Sequence, residues 1–354
     1  MAKVLMKGNE AVGAAAIKAG CKYFFGYPIT PQNEVPEYMS KELPKIGGSF
    51  VQAESEVAAI NMVYGAAGAG VRVMTSSSSP GIALKQEGIS YIAGAELPCV
   101  IVNMMRGGPG LGSIQSSQSD YFQATRGGGN GDYRTLVYAP ANVQELVDYT
   151  MKAFDMADYY RNPVLVLGDG MIGQMMEPIE FKETEKMDLP EKDWATTGTK
   201  GARKPNIVNS LRLQAPELEA LNQKLEAKYM EMEEKEVRYE SYKLEDAEIV
   251  FVAYGTVSRI TKNAIDLLEA EGIKAGLIRP ITLWPFPNKA FAEIPATAKA
   301  LMSVEMSQGG QMIDDVKIAN EGRLPIGFYG RSGGMVPAPQ AIVEAAKELL
   351  GGVK

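Results

Sequence analysis

Apolar and polar positions along this chain alternate in a rhythm that changes twice. From Val12 to about Met176, apolar runs at Tyr23–Tyr27, Val71–Thr75, Cys99–Met105 and Pro163–Leu167 are separated by small-residue or amphipathic stretches such as Ala53–Ala69 and Val143–Ala157. Runs of four to eight apolar residues suit strands, and the longer stretches suit helices. The runs VRVMT, CVIVNMM and PVLVLGDG are short, β-branched and apolar, which predicts parallel strands covered on both faces. A doubly wound α/β sheet follows from that alternation.

Between Glu177 and Glu245 the pattern becomes polar and charged. The segment PELEALNQKLEAKYMEMEEKEVRYE carries Leu218, Leu221, Leu225 and Tyr229 at helical spacing. This predicts a connector with one amphipathic helix packed by a single stripe, with no chemistry of its own. From Glu248 the alternation resumes through EIVFVAYG, IKAGLIRPIT, KALMSVEMS, LPIGFYG and a final helix PQAIVEAAKELLG. That predicts a second α/β unit whose strands end at Gly255, Pro280, Ser307 and Gly330, turn residues suited to strand-to-helix loops. The expected boundaries are 1–180, a linker at 181–245, and 246–354.

Composition narrows the chemistry. The length of 354 residues, with 45% hydrophobic and 22% charged, suits two globular domains. There is no histidine, so Ser-His-Asp and Cys-His schemes and histidine-ligated metals are excluded. The cysteines are Cys21 and Cys99 alone, too few for an iron–sulfur cluster or structural zinc site. Electrons handled here must therefore leave through another chain. A net charge of -7 argues against a nucleic-acid surface. Lys18 interrupts the small-residue stretch Val12–Ile17 well short of a membrane span, so a cytoplasmic protein is expected.

The glycine-rich stretches suggest nucleotide loops but fit none. GAAGAG at Gly65–Gly70, RGGPGLG at Arg106–Gly112 and RGGGNGD at Arg126–Asp132 lack the G-x-G-x-x-G context and any G-K-[ST]. GAAGAG reads better as a helix C-cap and tight turn. GDG at Gly168–Gly170 is followed by no Asn pair of the magnesium-diphosphate type, so Asp169 is read as a strand-end residue and no metal is expected in this chain.

Three segments in order are far more specific: YPITP at Tyr27–Pro31; VQAESEVAAINMVYGAAGAG at Val51–Gly70 with the following TSSSSPGIALKQEGISYIAGAELP; and VNMMRGGPG at Val102–Gly110. Together they resemble the alpha subunits of 2-oxoacid:ferredoxin oxidoreductases. The later VAYG and IRPITLWPFP segments are similar to the transketolase C-terminal domain that follows in that family. The resemblance implies a pyrimidine-type thiamine diphosphate-binding domain followed by a transketolase C-terminal-like domain.

Thiamine diphosphate reacts only when a carboxyl group hydrogen-bonds N1′ of its aminopyrimidine. The resemblance places that carboxyl nine residues before the glycine of a V-x-G turn, which is Glu56 counted from Gly65, with Glu54 the near rival. The residues alone support Glu56, since a carboxylate leading the uncharged, buried VAAINMVYGAAGAG needs a partner. The plainer role, complementing the helix dipole from the first turn, suits Glu54.

By the same resemblance Pro28 and Ile29 contact the cofactor, and Thr30 and Arg106 bind the substrate. Thr30 could equally form an ST-turn or the N-cap before PQNEVPEYM. Arg106 ends an apolar strand, an unusual place for a guanidinium unless an anion meets it. The run Ser76–Ser79 departs from the T-S-G-P-G of related chains.

The activity implied is oxidative decarboxylation of a 2-oxoacid to an acyl-CoA with reduction of ferredoxin, 3-methyl-2-oxobutanoate being the first candidate substrate and 2-oxoglutarate the second. Magnesium, the diphosphate site and iron–sulfur clusters are expected on partners: a beta subunit, a gamma subunit and a ferredoxin-like delta subunit. A non-catalytic docking subunit is the reading from another class.

Overall fold

In a computed structural model, described over residues 3–182 and 187–352, the first part of the chain runs through eight strands and seven helices. They are β1 (Val4–Lys7), α1 (Gly8–Lys18), β2 (Tyr23–Gly26), α2 (Glu34–Glu42), β3 (Ser49–Gln52), α3 (Glu56–Gly68), β4 (Val73–Ser77), α4 (Ser79–Gly94), β5 (Cys99–Met105), α5 (Tyr121–Arg126), β6 (Leu136–Tyr138), α6 (Val143–Tyr160), β7 (Pro163–Asp169), α7 (Gly170–Gln174) and β8 (Met176–Ile179). The connector helix is α8 (Ala215–Lys235). Then follow β9 (Tyr239–Tyr242), β10 (Ile249–Val252), α9 (Gly255–Ala270), β11 (Ala275–Pro280), β12 (Thr282–Trp284), β13 (Ala300–Glu305), α10 (Ile313–Asn320), β14 (Ile326–Gly330) and α11 (Pro339–Gly352).

A seven-stranded sheet has the order β12-β6-β7-β5-β4-β2-β3, parallel except for β12, which pairs antiparallel with β6. Every residue of β4, β5 and β7 is buried, as expected for strands covered by helices on both faces. A second sheet, β14-β13-β10-β11-β9, is parallel except for β9. The doubly wound α/β expectation is borne out, and β1 and β8 add a small antiparallel pair.

GAAGAG ends α3 with Ala69 as the cap and Gly70 at φ +80°, the left-handed turn read from the sequence. Asp169 is the last residue of β7 and caps α7, its side chain accepting from the Met171 and Ile172 amides. The connector helix differs from its predicted stripe. Leu218 is 43% exposed, and the buried residues are Leu225, Tyr229 and Met232, one turn further along. The cause is how α8 lies: from Leu221 onward it meets the core, where the Tyr229 ring stands edge-on to Trp284, while its first turn is held off.

The two sheets are joined by more than chain. Gln118, fully buried, donates from Nε2 to the Tyr254 carbonyl at 2.9 Å and accepts from the Met306 amide at 3.0 Å. Tyr121 donates to Asp315 at 2.6 Å, and Arg279 forks onto both Glu145 oxygens at 2.9 and 2.8 Å. Buried polar groups satisfied across a contact fix the two units in one arrangement.

Candidate functional site

Strands β2, β4 and β5 end side by side, and the loops leaving them form one crevice, where open parallel sheets place their ligands. β2 feeds the loop from Tyr27 to Asn33, β4 feeds Ser78 and α4, and β5 feeds Arg106 and a glycine loop.

Glu56 reaches this place because Ser55 caps α3, its hydroxyl accepting from the Ala58 amide at 3.1 Å. The first helical residue is thereby Glu56, and it is only 7% exposed. Its carboxylate lies against the first turn of α4, where a Cβ on Gly81 would stand 2.7 Å from Glu56 Oε1 and closer still to Ser77 Oγ. Gly81 is what leaves room for the acid. Glu54 is exposed and precedes the cap, so it lies outside the first turn in which dipole complementation was expected.

Thr30 and Arg106 are brought into direct contact. The Arg106 Nη1 donates to the Thr30 carbonyl at 2.9 Å and Nη2 to the Leu111 carbonyl at 3.1 Å. The guanidinium, from a residue 8% exposed, thus ties the β2 loop to the glycine loop, while its Nε is buried without a partner. Thr30 itself is exposed, and the cap position of α2 belongs to Asn33, so capping does not occupy it. Pro28 is exposed and Ile29 half-buried on the same loop. Thr30 lines a cleft of about 490 Å³ with Ser116, Gly170, Met171 and Gly334. A larger cleft, about 720 Å³, opens on the other side of the glycine loop between Ser79, Leu84, Asp120, Gln308 and Ser332.

The sequence reading noted the run Ser76–Ser79 but missed Gln32, Asn103 and Asp120, which bond to it. Ser79 accepts from the Arg106 amide at 3.0 Å and donates to Asp120 at 2.6 Å. Asn103 donates to the same Asp120 oxygen at 2.9 Å and accepts from the Ser79 amide at 3.1 Å. Burial pushes the Asp120 carboxyl above its ordinary value despite these bonds. Asn103 was visible as the one polar residue of a wholly buried strand, a signal that a ligand or a network needs it. Ser76 donates to Gln32, whereas Gln32 Nε2 and the Ser77 and Ser78 hydroxyls are buried without partners. Such a cluster of unsatisfied groups suits a polar ligand that completes their bonds.

Residues 14–248 match the family described as pyruvate flavodoxin/ferredoxin oxidoreductase, thiamine diphosphate-binding. The chain belongs to this family. Residues 247–342 match the pyruvate:ferredoxin oxidoreductase core domain II. Among relatives in the pyruvate flavodoxin/ferredoxin oxidoreductase family, the ketoisovalerate oxidoreductase subunit VorB of Methanothermobacter marburgensis is 52% identical over 99% of each chain. The 2-oxoglutarate synthase subunit KorA of Methanocaldococcus jannaschii is 34% identical over 96% of this chain and 98% of its own. The 2-oxoglutarate:ferredoxin oxidoreductase of Magnetococcus marinus, solved with 2-oxoglutarate, coenzyme A and succinyl-CoA bound, superposes with a TM-score of 0.85 at 30% identity. That match covers 98% of this chain and 65% of the solved one. A split-gene transketolase shares the fold at a TM-score of 0.61 and 15% identity. The resemblance read from YPITP, the Glu56 helix and the Arg106 loop is borne out at the level of the family. Among the described residues no helix is long and apolar enough to cross a membrane.

Proposed function

We propose that this chain is the aminopyrimidine-side subunit of a thiamine diphosphate-dependent 2-oxoacid:ferredoxin oxidoreductase, acting in the cytoplasm on branched-chain 2-oxoacids, 3-methyl-2-oxobutanoate first among them. The observation that carries this is the buried Glu56, held under Gly81 at the head of α3 beside the Thr30–Arg106 contact. The higher identity to the ketoisovalerate enzyme than to the 2-oxoglutarate enzyme supports the branched-chain substrate.

The orphaned groups of Gln32, Ser77, Ser78 and Arg106 fit a polar cofactor at this edge. Glu56 would hold the aminopyrimidine, with Pro28 and Ile29 against the ring. When bound, thiamine diphosphate supplies a carbon nucleophile for the keto carbon and a sink for the electrons left as carbon dioxide departs. Glu56 holds and moves a proton at N1′. Arg106 and Thr30 orient the substrate carboxylate: the guanidinium has five N–H groups, and the two backbone carbonyls take only two of them. The bond to that carboxylate would break, and clusters bound on partner subunits would supply a one-electron route by which the two electrons reach ferredoxin, the acyl group going to coenzyme A.

A partner must cover the site. Tyr27, Val51, Val57, Leu84, Leu111 and Ile114 are exposed around the crevice, Leu111 at 82%, and such an apolar rim marks an association surface. The partner we assign there is a beta subunit bearing the diphosphate and magnesium site and an iron–sulfur cluster, with gamma and delta subunits completing the complex. Purification of the native complex and assay of a panel of 2-oxoacids with ferredoxin as acceptor tests the reading. The expected order places 3-methyl-2-oxobutanoate above 2-oxoglutarate in kcat/KM. The reverse order moves the chain to the 2-oxoglutarate type, and no turnover with any 2-oxoacid overturns the function.

A further inference from the structure

One buried cation near the site has no part in the chemistry so far. Lys85 lies on α4 one turn beyond Gly81 and is completely buried. Positions four apart share a helix face, so Lys85 stands on the face of α4 that meets Glu56. The same faces of α3 and α4 meet again further along, where Gly88 meets Ile60. The Lys85 ammonium donates to the Thr75 hydroxyl at 2.6 Å and the Ser76 carbonyl at 3.2 Å, both on β4.

An ammonium rarely stays inside a protein without an opposite charge. The titratable groups facing it are Glu56 from α3 and the Cys99 thiol from β5. Burial pushes that thiol up to about 12, so it is uncharged at working pH. Glu56 is therefore the carboxyl group placed to balance it.

We propose that Lys85 is a positioning residue for Glu56, a buried ammonium that balances the carboxylate Glu56 presents while the shared proton sits on N1′ of the aminopyrimidine. This rests on the reading of Glu56 given above. With the ammonium in place, Glu56 can part with its proton without leaving a lone negative charge in an apolar wall. Without it, the carboxyl retains the proton and the aminopyrimidine is activated less. Burial lowers the Lys85 pKa to about 7, with Glu56 opposing that fall. The device would thus switch near neutral pH.

Stability offers a readout apart from turnover. A free lysine titrates near 10.4, so between about pH 7 and 10 the unfolded chain binds the extra proton and stability rises with pH. Thermal melting of the full chain is measured from pH 6 to 9.5 for the wild type, K85M, E56Q and the double variant. The expected result is a rise in the wild type relative to K85M, beginning near pH 7. In E56Q the rise should begin at a lower pH, because Lys85 has lost its partner. If K85M fails to fold, wild type against E56Q decides alone, with K85R supplying a charge that does not titrate in this range.

In the native complex, hydrogen–deuterium exchange at the thiamine C2 should show an inflection near pH 7 that K85R abolishes. An unshifted onset in E56Q, or K85R and wild-type exchange profiles that superimpose, overturns the role of Lys85. Wild-type exchange in E56Q instead overturns the role of Glu56 on which it rests, so the two failures are distinguishable.

Discussion

Glu56 and Glu54 are two residues apart in sequence and differ because a single hydroxyl decides where the helix begins. With Ser55 as the cap, one acid is outside the helix in solvent and the other is its first residue, beneath α4. Glu56→Gln conserves volume and hydrogen-bonding shape, so the fold should persist while C2 exchange in the complex slows by about 10²–10⁴-fold. Glu54→Gln should exchange like the wild type, and the opposite pattern would show that counting from Gly65 chose the wrong carboxylate. The sequence made Glu56 legible because VAAINMVYGAAGAG carries no other charge to explain. It left Lys85 and Asp120 illegible, because the lysine stands beside Gln86 and Glu87 in a stretch that reads as solvated, and the aspartate follows a polar SQS run. Only the fold brings Thr75, Glu56 and Lys85 together.

At the scale of elements, the all-apolar strands β4, β5 and β7 announced themselves, since only coverage on both faces permits such composition. The short strands β9 and β12 did not: RYESYK alternates weakly, and TLW lies inside a proline-rich run. Helix α8 shows the same limit in another form. Its spacing fixed a helix, but a run of Leu218, Leu221, Leu225, Tyr229 and Met232 offers more apolar positions than one contact needs, and the neighbour chooses among them. Met232→Ala should destabilise the chain by about 2–5 kcal/mol, as deletion of a fully buried side chain does. Leu218→Ala should change stability by about 0.5 kcal/mol or less. Denaturant unfolding of the two variants checks this, and equal losses would put Leu218 back in the packed stripe.

For the whole molecule, a crevice with an apolar rim and orphaned polar groups describes half of a site. Calorimetry on the chain alone, with thiamine diphosphate and magnesium, should find weak heat or none, and tight magnesium-dependent binding would contradict a site shared between subunits. The two-unit rhythm of the sequence was plain, but its crossing points were not. Gln118, Arg279 and the strand β12 each work across the two units, and nothing in their local sequence marks it. The β12 crossing has a further consequence during synthesis. The strand β6 that it pairs with ends at Tyr138, whereas Thr282–Trp284 emerge from the ribosome only after the whole connector and the first strands and helix of the second unit have been made. At ordinary elongation rates that delay is on the order of ten seconds. Throughout it the nascent sheet has an unpaired edge of backbone amides and carbonyls, the surface on which neighbouring chains pair wrongly. Slowing translation between Tyr138 and Thr282 should therefore lower the soluble yield of this chain more than slowing it after Trp284, when the edge is already closed.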